Sequence, residues 1–256
     1  MNTSRPEMRT SDAPDETNVP RGVFVTTHWS LVLAAVGKDE AQAQYALEKL
    51  CQLYWYPLYA YVRRRGYGAH DGQDLVQEFF ARLLRRHWLA QADRQRGKFR
   101  TFLLTAMNHF LANEWDKAKA EKRGGKAHIL PLELDTAETR YQLEACDPLT
   151  PEQNYERRWV LALLDQVLVR LRKEHEVDGK ETLFETLKPS LVGEREAQPY
   201  AALAAQLNLS EGAVKVAVHR LRQRYRQLLQ EEIAQTVAGP EEIEDEVRYL
   251  LAVLGR

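Results

Sequence analysis

The sequence predicts an all-α protein made of two helical domains joined by an acidic linker. Three observations predict it. Alternating β-branched runs are almost absent, while Ala, Leu, Glu, Gln and Arg dominate. Apolar residues recur instead at three- and four-residue spacing along extended stretches. Between two such stretches, residues 124–151 carry Gly124, Gly125, Pro131, Pro148 and Pro151 with little periodicity, which reads as a linker. A chain of 256 residues, 44% apolar, is long enough for two modest cores. The expected organisation is a disordered leader at 1–26, helical blocks at 27–123 and 152–235, the linker at 124–151, and an acidic C-terminal extension at 236–256.

The leader is rich in Pro, Ser, Thr, Asp and Glu, has no apolar core of signal-peptide length, and no later run is long enough to span a bilayer. Cys51 and Cys146 lie far apart with no CxxC pair. They offer neither a disulfide framework nor zinc-ligand spacing, and they suit a reducing cytoplasm. No metal or other cofactor is expected.

In the first block, TTHWSLVLAAV opens a helix capped by Thr27 or Ser30. A longer helical pattern follows until Pro57, which lacks an N–H and should either kink that helix or start the next. The aromatic run LYWYPLYAYV reads as core packing. In the following helix Asp71 is the expected N-cap, and Leu75, Phe79 and Leu83 form an inward stripe. Gln73, Gln77, Phe80, Leu84 and Trp88 form a second stripe on roughly the opposite side, to be buried within the block or against a partner. The third helix turns Phe99, Leu103, Ala106 and Phe110 inward. It leaves Thr101, Thr105, Asn108, Ala112, Trp115 and Lys119 on the other face, where Trp115 either stacks on an unpaired base or packs on a neighbouring helix.

The linker, nearly thirty residues at about 3.3 Å each, stretches up to roughly 90 Å and leaves the blocks free to sit far apart. The second block opens with a long helix whose stripe, Trp159, Leu163, Val167 and Leu171, should face the helices that follow. Then comes PYAALAAQLNLSEGAVKVAVHRLRQRYRQLL, which fits a helix-turn-helix. Ala204 and Ala205 permit a close helix crossing, Asn208 suits a left-handed turn position, and Leu209 plugs the gap. Ser210 caps the second helix, with Glu211 favourably placed against its dipole. Val214, Val218 and Leu221 point inward. Gly212, Lys215, His219, Arg222 and Arg226 form the outer stripe, where a recognition helix meets base edges and phosphates.

The net charge of −1 hides strong local imbalance. Residues 94–126 hold nine bases against three acids, and residues 215–226 hold five bases and no acid. Residues 127–156 carry seven acids against Arg140, and the chain beyond Gln230 is acidic again. Two basic islands separated by acidic stretches point to two nucleic-acid contacts on one chain.

The stretches DLVQEFFARLLRR, GKFRTFLLTAMNHFLANEW and YAALAAQLNLSEGAVKVAVHRLRQRYRQLL, in this order, resemble a small bacterial RNA polymerase sigma factor of the extracytoplasmic-function type. The resemblance covers about residues 27–122 and 152–232, which match the second and fourth sigma regions. It implies a protein without catalysis of its own that binds core RNA polymerase and directs promoter recognition and DNA melting. The helix at 74–84 would dock on the β′ clamp through Asp74, Gln77, Glu78, Phe80 and Leu84. The helix at 97–119 would read and open the minus-ten element with Thr101, Thr105, Asn108, Trp115, Lys117 and Lys119. The helix-turn-helix would read the minus-thirty-five element with Ser210, Lys215, His219, Arg220, Arg222 and Arg226 while its domain holds the β flap. The acidic linker would follow the channel that RNA later takes, and an anti-sigma protein is a further candidate partner. Two departures stand out: DKAKAEKR replaces the family's arginine-rich run, and the acidic extension exceeds the minimal family.

Two other classes compete. An operator-binding regulator would carry a ligand or dimerisation domain in place of the first block. A DNA-processing enzyme would need a nucleophile, paired carboxylates or a metal cluster, whereas the seven histidines are scattered and no P-loop or HExxH occurs.

Overall fold

Asp39 starts the first long helix of the computed structural model by accepting hydrogen bonds from the Ala41 and Gln42 amides at 3.1 and 3.3 Å. The structure describes residues 32, 35, 39–83, 89, 92, 97–120, 134–144, 148–192 and 199–255. The leader at 1–26, the Thr27 or Ser30 cap, Leu84, Trp88 and residues 124–133 lie outside them, as do the side chains of Lys117 and Lys119. The helices are α1 (Glu40–Arg64), α2 (Ala69–Leu83), α3 (Phe99–Ala120), α4 (Leu134–Glu144) and α5 (Pro151–Val177). Then follow α6 (Glu181–Leu187), α7 (Pro189–Val192), α8 (Tyr200–Leu207), α9 (Glu211–Ala234) and α10 (Ile243–Leu254), with a 3-10 turn at Pro240–Glu242. No strand occurs among the described residues, so the chain is all-α there. Among the described residues no helix is long and apolar enough to cross a membrane.

Pro57 lies inside α1, which continues through it to Arg64 instead of restarting. A proline in mid-helix forfeits one backbone hydrogen bond. Burial on both sides of it, at Leu53, Tyr54, Leu58, Tyr59, Tyr61 and Val62, offsets that loss. The helix stops where Gly66 takes φ 94°, a conformation glycine adopts without strain. Asp71 is not the cap of α2: the helix begins two residues earlier, at Ala69, and places Asp71 in its first turn. A carboxylate there still complements the helix dipole.

The first core gathers α1, α2 and α3 as expected, through Phe79, Leu83, Phe99, Leu103, Met107 and Phe110. Aromatic edges lock it, with Tyr54 on Phe99 at 5.5 Å and Phe79 on Phe110 at 5.7 Å. Its other members come from far along the chain: Tyr155, Trp159, Val160 and Leu163 of α5, Ile233 at the end of α9, and Leu250 and Val253 of α10. The second half of the α5 stripe, Val167 and Leu171, packs with the helices directly after it, on Phe184, Leu187, Leu203, Val214, Val218 and Leu221. α5 is therefore a shared spine of about 40 Å, and the division between cores falls inside it. Thr150 and Gln153 close a reciprocal capping box at its start.

The stretch expected as a linker contains α4, which docks on α1. Arg63 donates to Glu138 at 2.8 Å through Nη2, Tyr59 donates to the same carboxylate, and the Arg63 guanidinium lies 4.7 Å from the Tyr141 ring. Hydrogen bonds from Tyr59 and Arg63 outweigh the effect of burial and hold the Glu138 carboxyl below its ordinary pKa.

Candidate nucleic-acid interface

Asn208 ends α8 in the left-handed conformation, φ 53° and ψ 43°, and the Leu209 amide returns to the Ala204 carbonyl at 2.9 Å. Asparagine tolerates that geometry because its short side chain crowds the backbone little. Ser210 then starts α9 by accepting from the Ala213 amide at 3.2 Å. Val214, Val218 and Leu221 are buried, which fixes the opposite face outward. Ala204 is buried at the crossing, whereas Ala205 is exposed. Leu209 is 43% exposed and does not plug the turn; the short return to Ala204 already closes it.

Ser210, Gly212, Lys215, His219, Arg220, Arg222 and Arg226 are all exposed. Their availability differs. Arg222 donates twice to the Ser190 carbonyl, at 3.1 and 2.8 Å, and so is tied to α7. Arg224, the fifth base of the island, pairs with Glu174 at 2.6 Å and turns toward α5. Lys215, His219, Arg220 and Arg226 make no hydrogen bond or ion pair among the described residues. Lys215, His219 and Arg226 share the open outer stripe, while Arg220 stands to one side of it, in a pocket with His175, Leu183, Phe184 and Arg224.

On α3 the outer face is laid out as the spacing predicts. Thr101 and Thr105 are exposed, Asn108 is half-buried and Trp115 is 56% exposed. Asn108 and Trp115, with Leu111 and Ala112, line one side of an open groove of about 490 Å³. Arg65, Gly66 and Tyr67 line the other, residues that helical periodicity missed because they sit in the turn after α1. The run RRRGYG, cations ended by a glycine beside an aromatic, was the available signal. Asn108 Oδ1 accepts from Tyr61 Oη at 2.5 Å and from Arg65 Nη1 at 3.3 Å. A guanidinium only donates, so the amide oxygen is committed and the amide nitrogen remains to donate elsewhere. An indole, an amide donor and a guanidinium around one groove can stack on a base and bond to its edge.

The expected docking face of α2 is largely closed. Phe80 is 1% exposed, with its ring 6.2 Å from Trp55 and 5.8 Å from Phe79, and Gln77 is 4% exposed. The second stripe thus has an internal partner, the aromatic flank of α1. Glu78 accepts from Arg82 at 2.8 Å, and Arg82 also pairs with Glu114. Asp74 is exposed and lies 3.6 Å from His70 Nε2.

Two cations of the first basic island also turn inward: Arg100, 4% exposed, and Lys98 both meet Glu246 of α10. No group of three His, Cys, Asp or Glu side chains suited to a metal ion occurs among the described residues. No protein-family model, no curated protein and no solved structure matches the chain.

Proposed function

We propose that this chain is a transcription initiation factor of the sigma type, which binds core RNA polymerase and promoter DNA and favours strand opening. The observation that carries this reading is the row Lys215, His219 and Arg226, flanked by Arg220, on a capped helix-turn-helix, with no hydrogen bond or ion pair to these side chains among the described residues. That row contacts duplex DNA, with Arg222 held back by Ser190 as a support of α9. The groove at Asn108, Arg65 and Trp115 takes an unpaired base, and capture of one strand gives the duplex a reason to open. In this role Thr101 and Thr105 extend the strand path along α3, and polymerase meets the exposed side of α2 at Asp74 rather than at Phe80.

A second reading is a DNA-binding regulator that acts without polymerase. The burial of Gln77 and Phe80 and the pairing of Glu78 with Arg82 favour it, since they withdraw three of the five side chains assigned to clamp docking. One experiment separates the two. The purified chain is mixed with bacterial core RNA polymerase and a library of genomic fragments, and run-off transcripts are sequenced. Defined transcripts that depend on the chain support the sigma reading. Duplex binding with neither co-elution with polymerase nor new transcripts supports the regulator.

A further inference from the structure

The C-terminal helix carries a carboxylate into the first basic island. The Glu246 side chain is 1% exposed and lies 2.6 Å from Arg100 Nη1, and it also meets the Lys98 ammonium. The Arg100 guanidinium lies 4.4 Å from the Trp159 ring and 5.5 Å from Tyr249, and Lys98 lies 5.0 Å from Tyr249. We propose that Lys98 and Arg100 form a phosphate-binding site for nucleic acid that α10 occupies with Glu246, so that the C-terminal helix competes with DNA. The inference rests on the DNA-binding reading above.

The chemistry of the site suits a phosphate as well as the carboxylate that holds it. Two cations converge on one acid, and buried charges are stable only when paired and fully hydrogen-bonded. Arg100 Nη1 and Glu246 Oε1, despite their closeness, are not aligned as a hydrogen bond and have no other partner. A phosphate diester presents oxygens that a guanidinium grips side-on while a lysine meets the same charge. The site also sits at the first turn of α3, which has no acidic residue of its own to complement the helix dipole.

α10 is docked through buried Leu250 and Val253, with Ile243, Val247, Tyr249 and Leu254 packed against the same core, so a phosphate reaches the two cations only when the helix lifts as a unit. Lifting the helix frees two cations beside Thr101, on the helix whose outer face borders the base-binding groove.

The test is fluorescence anisotropy of a mixed-sequence 30-base-pair duplex with the full chain across a series of salt concentrations. Glu246→Gln is expected to bind about tenfold tighter at low salt, with a log–log salt slope steeper by about 0.9 for each additional phosphate neutralised. Adding Lys98→Ala to that variant should cancel much of the tightening. Unchanged affinity and slope in a folded Glu246→Gln variant overturn the proposal and leave duplex binding by α9 intact. Absence of duplex binding in every variant overturns the DNA-binding reading with it. Hydrogen exchange on the unmodified chain gives an answer even if the variant unfolds. Amides of residues 243–254 should exchange faster with saturating duplex, and equal or slower exchange overturns the displacement.

Discussion

Phe80 shows what a single side chain can decide. Packed against Trp55 and Phe79 at 1% exposure, it belongs to the core. Removing a buried phenylalanine ring costs about 3–5 kcal/mol through lost transfer energy and the cavity left behind. Phe80→Ala should therefore lower unfolding free energy by that amount in urea titration. A loss below about 1 kcal/mol would mean that the ring is exposed in solution and free to dock. Periodicity placed Phe80 at the correct angle around α2, but angle does not name a neighbour, and Trp55 reaches it from another helix. Asn208 was legible for the opposite reason, since a left-handed turn is local chemistry written in the adjacent residues. Arg222 was half legible: its outward position follows from Val218 and Leu221, whereas its tie to Ser190 depends on where α7 lies.

At the scale of the element, α4 shows how charge can hold a short helix whose sequence has little amphipathic pattern. Its anchor is Glu138 on Arg63 and Tyr59, with both ion-pair side chains less than one-fifth exposed. Charge-assisted hydrogen bonds of this kind contribute about 1.5–3 kcal/mol. The folded-state pKa of Glu138 lies below its ordinary value of 4.5, so the stabilisation is present above that value and is lost as pH falls through the folded pKa. Glu138→Gln should thus be less stable than the unmodified chain at pH 7, and the gap should close as the pH is lowered toward 3. A gap that persists unchanged to pH 3 would show that the carboxylate charge is not its source. The acidic, proline-bounded composition of residues 124–151 argued for a linker, and proximity of Arg63 could not be read from it. The capping box at Thr150 and Gln153, by contrast, stands in the sequence TPEQ.

Across the whole molecule the question is whether the two cores behave as one. α5 places Trp159 and Leu163 in the first core and Val167 and Leu171 in the second without a break in the helix. α9 repeats the device, with Leu228 in the second core and Ile233 in the first. Its acidic end is pinned to α5, where Arg170 meets Glu231 at 2.5 Å and Glu232 at 3.2 Å. The four-residue spacing from Trp159 to Leu171 was readable in the sequence. That its neighbours change halfway was not, because a stripe looks the same whichever core receives it. A continuous helix cannot fray in one core without exposing apolar surface at its junction with the other, so unfolding should be cooperative. Leu171→Ala tests this from the second core, at an expected cost of about 2–5 kcal/mol. The two buried tryptophans of the first core, Trp55 and Trp159, report from the far side. With coupled cores, their fluorescence transition shifts to lower temperature together with the far-ultraviolet circular dichroism of the whole chain. If the dichroism falls first and the tryptophan transition stays at its original temperature, the blocks melt independently. The extended two-domain arrangement read from the linker would then describe the chain in solution better than a shared spine does.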